Sequence, residues 1–174
     1  MQQRAWMLVV AVVGVGIVAA CKDKEVTGPP PNITYTATLS SANELPNASG
    51  AKPNTAATGT WTGVLNPATN VMTWTLTFSG LSANSTGAHI HAQAATTANA
   101  NVVLNFATFA GGNFVTGATS GTYTGTVNMS SAVVTGLTIS GDSLRKAMDA
   151  GMSYVNVHST NWTGGEIRGQ VVKQ

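Results

Sequence analysis

From Ile33 onward, apolar and polar residues alternate almost one for one, the period-2 signature of strands that bury one face, and turn residues interrupt the pattern at short intervals. Ile33 to Ser40 is the cleanest case, with Ile33, Tyr35, Ala37 and Leu39 on the inner side. Ser41 to Thr58 is a polar loop carrying Glu44, Pro46 and Pro53. Gly59 to Leu65 and Val71 to Ser79 flank the turn Asn66 to Asn70 and so predict a hairpin, in which Met72, Trp74, Leu76 and Phe78 oppose Thr73, Thr75 and Thr77. A second hairpin is predicted from Gly121 to Asn128 and Ala132 to Ser140. Val102 to Phe106 reads as a strand, Phe114-Val115 as a short one at best, and Gln93 to Asn101 and Ala110 to Asn113 as loop.

The period changes once. Leu144, Ala147 and Met148 fall at helical spacing behind Ser140 or Asp142, either of which suits a cap, and Gly151 supplies a stop. One short helix among so many strands and turns makes the folded part an all-β, antiparallel sandwich or barrel. An internal echo links its halves: Gly59-Thr60-Trp61-Thr62-Gly63 is matched by Gly121-Thr122-Tyr123-Thr124-Gly125, and Leu76 to Gly80 by Leu137 to Gly141. Two pseudo-symmetric units would explain it, with His91 equivalent to His158 and His89 to Asn156; chance likeness of Thr- and Gly-rich strands would explain it as well.

All three histidines lie on predicted strands. Alternation puts His89 and His91 on one face of Ala88 to Ala92, with Ile90 behind them, and puts Tyr154, Asn156 and His158 opposite Val155 and Val157. The returning segment Gly165 to Gln170 sets Glu166, Arg168 and Gln170 against Ile167. Two readings follow. Three neutral imidazoles, His89, His91 and His158, form a ligand set suited to Cu(II) or Zn(II), which Glu44 or Glu166 would complete or orient. Alternatively the same residues form a structural polar network, with His158 paired to Glu166 across the final hairpin and Arg168 holding Glu44 through a bidentate contact. Catalysis has no support in a nucleophile elbow, and no nucleotide fingerprint is present.

The chain's start changes where this domain is expected. Arg4 followed by the apolar run Ala5 to Ala20 reads as a signal peptide over residues 1–20, and Val18-Ala19-Ala20-Cys21 resembles the bacterial lipobox, in which the cysteine is lipidated and becomes the mature N-terminus. Cys21 is the sole cysteine, so no internal disulfide is available. Residues 21–32 then form a Pro-rich tether and residues 33–174 the β domain. Lys22 stands where an inner-membrane retention aspartate would be, which points to the outer membrane of a bacterial envelope. Eight Lys or Arg, Arg4 among them, face six Asp or Glu, a balance that excludes a basic nucleic-acid surface. Trp162, near the tip of the loop Ser159 to Gly165, is a candidate contact for an envelope protein or a glycan, or else packs over the hairpin base.

Taken together, Ala37 to Ser40 leading into Ala42-Asn43-Glu44-Leu45-Pro46, then Ser79-Gly80-Leu81, Ala88-His89-Ile90-His91, Tyr154 to His158 and Gly164 to Gln170 resemble the CHRD domain, a family named from the animal protein chordin and common in bacterial secreted proteins. The likeness runs from about Thr34 to Val172 and departs at Ala92-Gln93-Ala94-Ala95, where the family has a Gly- and Pro-rich turn. The resemblance implies an immunoglobulin-like or Greek-key domain in an extracytoplasmic setting and no established catalytic role. The expectation is therefore a lipid-anchored envelope protein displaying a non-catalytic binding or structural module, with a copper- or zinc-binding protein as the alternative.

Overall fold

In the computed structural model, residues 28–108 and 112–174 are described; the signal segment, Cys21 and the first part of the tether lie outside them. The strands are β1 (Ile33–Ser40), β2 (Thr58–Asn66), β3 (Val71–Ser79), β4 (Ser85–Ala92), β5 (Val102–Asn105), β6 (Gly121–Asn128), β7 (Ser153–Ser159), β8 (Ile167–Gln170) and β9 (Val172–Lys173), with one helix, α1 (Gly141–Asp149). They form one antiparallel sheet in the order β5-β4-β7-β8-β1-β2-β3-β6, with β9 also on β1. The sheet curls into a half-barrel, and this curl encloses the core where a sandwich would use two separate sheets.

Strand β1 is the hinge of the curl. It pairs with β2 along its whole length, from Ile33↔Leu65 to Ser40↔Thr58, yet meets β8 only at Ser40↔Arg168. Two wings result, β1-β2-β3-β6 and β8-β7-β4-β5, and their apolar faces turn toward each other. Trp61, Met72, Trp74, Leu76 and Phe78 from the first wing pack in one cluster with Ile90, Val155, Val157 and Ile167 from the second. The Trp74 and Phe106 rings, 4.4 Å between centroids, join the wings.

The outer faces of the wings differ, and this difference creates the site. On β3 the outward threonines 73, 75 and 77 are exposed. Outside β4, β7 and β8 the loops 41–57, 93–101 and 159–165 cover the sheet, so its polar face is buried too. Ser41 pins the first of these loops, donating from Oγ to the Thr55 carbonyl at 2.7 Å.

The predicted first hairpin forms, and Asn66 shapes its turn by accepting from the backbone N–H groups of Ala68 and Thr69. Of the two candidate caps for α1, Ser140 is the one used: its Oγ accepts from the Ser143 N–H, while Asp142 sits in the first turn. Gly151, at φ 65°, ends the helix.

Two expectations fail. Ala132 to Ser140 is not a strand; its hydrogen bonds to the sheet are the bridge Leu104↔Leu137 and those from Thr138 to Val102 and Val103, while Val134, Leu137 and Ile139 pack on the core. The inner edge of β6 is taken by β3, and Asn113 exchanges hydrogen bonds with Thr124 of β6, so no hairpin partner remains for that segment. Phe114-Val115 forms no ladder either, because the Phe114 ring is held by packing on Tyr123 and Phe78. The internal echo therefore ends at the second hairpin: the histidine strands do lie side by side, but the units that carry them are not alike.

Candidate functional site

Strand order brings the histidines together. β4 and β7 are neighbours, with His91 opposite Tyr154, His89 opposite Asn156 and Gly87 opposite His158. Alternation alone places His89, His91, Tyr154, Asn156 and His158 on the outward, loop-covered face. Gly87 has no side chain, and the His89 ring occupies the space where one would lie: a Cβ there would come 3.2 Å from His89 Cε1.

Each imidazole is oriented by a hydrogen bond, and the partners decide the tautomers. His91 Nδ1 lies 2.8 Å from the Ala100 carbonyl, and His158 Nδ1 lies 2.8 Å from the Thr163 carbonyl. A carbonyl only accepts, so both rings carry their proton on Nδ1 and leave Nε2 with a free lone pair. His158 Nε2 therefore accepts from His89 Nδ1 at 2.9 Å. His91 Nε2 is buried without a partner. One nitrogen from each ring lies within 4.8 Å of one from each of the other two.

Burial also fixes the protonation state. It lowers His89 to about 4, helped by repulsion from the other two imidazoles, and lowers His91 to about 4 against the opposing effect of its bond to Ala100. His158 is lowered as well, chiefly by burial. All three rings are neutral at pH 7, the form that ligates metals.

A pH dependence of stability follows. The unfolded chain protonates His89 and His91 near pH 6.5, whereas the folded chain resists until about pH 4. The associated stability is complete above pH 6.5 and is lost as the pH falls toward 4, by roughly 3 kcal/mol for a single imidazole shifted this far. Urea midpoints measured from pH 7.5 to 4 should show this decline; a flat profile would mean that the rings are not buried neutral.

The surrounding charges are arranged otherwise than the sequence suggests. Glu44, 4 % exposed, accepts from the Leu45 N–H at 3.0 Å and from Asn156 Nδ2 at 2.5 Å. Arg168 does not hold it: the guanidinium donates to Asn99 Oδ1 at 2.9 Å and to the Ala98 and Ala95 carbonyls at 2.7 and 3.3 Å. It also lies 3.5 Å over the Tyr154 ring, which in turn stacks on His91 at 4.6 Å. Glu166 does not pair with His158 either; it accepts from the Ser82 N–H at 2.7 Å. The reason in both cases is backbone demand. Loop 93–101 presents carbonyls to the sheet and Ser82 presents an N–H, and covered loops require such partners. Among the described residues the ion pairs are Arg145–Asp142 and Lys173–Asp149, both on the surface.

Gly165 completes the packing. At φ 131° it lies against the Glu44 carboxylate and the Asn156 amide so closely that a Cβ would collide with both. Sequence reasoning passes over Asn99, Ser82 and the carbonyls of Ala100 and Thr163, which orient the candidate ligands. Alternation marks Tyr154 and Asn156, but no residue type marks a carbonyl.

The site therefore holds three neutral imidazoles backed by two carbonyls, beside a carboxylate and a guanidinium that are each satisfied separately. Nitrogens sharing one tetrahedral ion with bonds of about 2.0–2.1 Å lie roughly 3.4 Å apart, so an ion would require the rings to rotate inward and His158 Nε2 to give up its bond from His89. Glu44 is held by the Leu45 N–H and the Asn156 amide, one bond at each carboxylate oxygen. A family model described as the CHRD domain matches residues 35–171. No curated protein and no solved structure matches the chain.

Proposed function

Since the chain belongs to the CHRD domain family, we propose that it is a non-catalytic binding module of a bacterial cell envelope whose ligand is a Cu(II) or Zn(II) ion held by His89, His91 and His158. The observation that carries this reading is the buried, unpartnered Nε2 of His91, on a ring that belongs to a group of three imidazoles with one nitrogen each within 4.8 Å of one another. A buried imidazole lone pair without a partner is costly, and a metal ion would satisfy it. The hydrogen bonds from Nδ1 of His91 and His158 to backbone carbonyls are the outer-shell arrangement that orients ligating histidines. Three protein nitrogens leave at least one coordination position for water or a further ligand. Calorimetric titration of the full-length protein with ZnCl2 and CuCl2 should give one ion per chain, and absence of heat with both would overturn the reading.

The location rests on the lipobox-like Val18 to Cys21. In this reading a lipid on Cys21 anchors the protein, most consistently with Lys22 in the outer membrane, and the Pro-rich tether holds the domain away from the bilayer. Cys21→Ser should move the protein from the membrane fraction of expressing bacteria to the soluble fraction. Retention of the variant in membranes would count against a lipid anchor.

A further inference from the structure

A concavity of about 280 Å3 opens beside the loop that carries Thr163, and Glu44, Asn47, Asn99, Asn161, Trp162 and Gly165 are among the residues that line it. We infer that this is a carbohydrate site for a neutral pyranose ring, with the Trp162 indole as its stacking platform.

The polar atoms that its lining side chains keep free are assigned by the bonds those side chains already make. Asn47 uses its Oδ1 three times, accepting from Ser49 N, Ser49 Oγ and Ala51 N, which leaves Nδ2 as its free donor. Asn99 uses its Oδ1 to accept from Arg168, again leaving Nδ2. Asn161 does the opposite: its Nδ2 donates to Ser82, leaving Oδ1 as an acceptor. Glu44 accepts one bond at each carboxylate oxygen, so each retains lone-pair capacity. Two amide donors thus stand with an amide and a carboxylate acceptor around one half-buried indole. Vicinal hydroxyl groups, which donate and accept at adjacent positions, match this set.

Charge narrows the ligand further. Among the described residues no Lys or Arg lines the cavity and the one ionisable lining group is a carboxylate, so phosphates and acidic sugars are repelled. A quaternary ammonium prefers a cage of several aromatic rings, and only one is present. The volume is at the small end of the range for ligand pockets, about 300 Å3 and above, which suits a single ring of a longer glycan lying across the opening. A pyranose face of C–H groups would cover the indole, whose π face is negative.

Saturation-transfer NMR of the full-length protein with cellotriose, chitotriose and mannotriose tests this. Transfer to at least one trisaccharide is expected, with Trp162→Ala weakening it by at least about tenfold. Asn161→Ala, which leaves the platform intact, should weaken it by a smaller factor. Zn(II) titration of both variants should match the unmodified protein, because neither residue supplies a bond to the imidazoles; this shows that the fold is retained. No transfer to any of the three sugars would overturn the assignment, as would sugar binding that survives Trp162→Ala, or binding of a tri-proline peptide in place of the sugars.

Discussion

Replacing His91 by alanine is expected to lower Zn(II) affinity by at least about a hundredfold, since it removes one of the three proposed ligands and the one whose buried nitrogen has no other partner. The same change removes metal-dependent stabilisation. With the ion at 100 times its dissociation constant, the unmodified protein should gain about 2.7 kcal/mol in urea unfolding, and the variant close to none. Comparing midpoints with ZnCl2 and with a chelator separates this from any packing loss, which is present in both conditions. A variant that kept the full gain would show that His91 does not ligate.

The second large effect is at Arg168, which is 1 % exposed. Arg168→Met keeps much of the stem but deletes the fork that bonds Asn99, Ala98 and Ala95 and stacks on Tyr154. The Ala98 carbonyl and the Asn99 amide oxygen then lose their donor, and the Ala95 carbonyl keeps only the Ala98 N–H. The expected cost is about 3–5 kcal/mol, because loss of acceptors' partners and of a buried aromatic contact falls in one change. Arg168→Lys should recover only part of it, as a single ammonium cannot reproduce the planar fork. Metal affinity should fall as well: loop 93–101, which Arg168 fastens, also carries the Ala100 carbonyl that orients His91. Equal stability of Arg168→Met and the unmodified protein would contradict this role. If stability were lost while Zn(II) affinity at low denaturant stayed unchanged, the loop would be shown not to orient His91.

These two residues also mark how far the sequence could be read. That His89 and His91 share a face follows from alternation alone, and the similar pattern in Tyr154 to His158 places His158 on a matching face. Their meeting requires only that β4 and β7 be neighbours. The first hairpin and α1 were legible for the same reason, since local period and turn chemistry decide them. The partners of Arg168 and Glu166 were not legible. Sequence offers a carboxylate for each cation and an imidazole for each carboxylate, but the structure gives these groups to loop carbonyls and to the Ser82 N–H, which every residue type carries alike. Ala132 to Ser140 failed for a different reason. Its composition suits a strand, yet a strand needs an open edge, and the one beside it is already occupied by β3 on one side and engaged by Asn113 on the other.

The buried polar face has one consequence for how the site behaves. Three loops that are distant in sequence, 41–57, 93–101 and 159–165, all rest on β4, β7 and β8 through side chains of the site or its neighbours. Ion binding by the imidazoles would therefore stiffen the two loops whose carbonyls hold the rings, and loop 159–165 also carries Trp162.

X-ray absorption at the zinc edge of the full-length protein loaded with one equivalent of Zn(II) examines the proposed ion site most directly. Three imidazole nitrogens at about 2.0–2.1 Å, with the outer-ring scattering that imidazole produces and one oxygen ligand, is the result this structure predicts. A first shell of oxygen with at most one imidazole would contradict it.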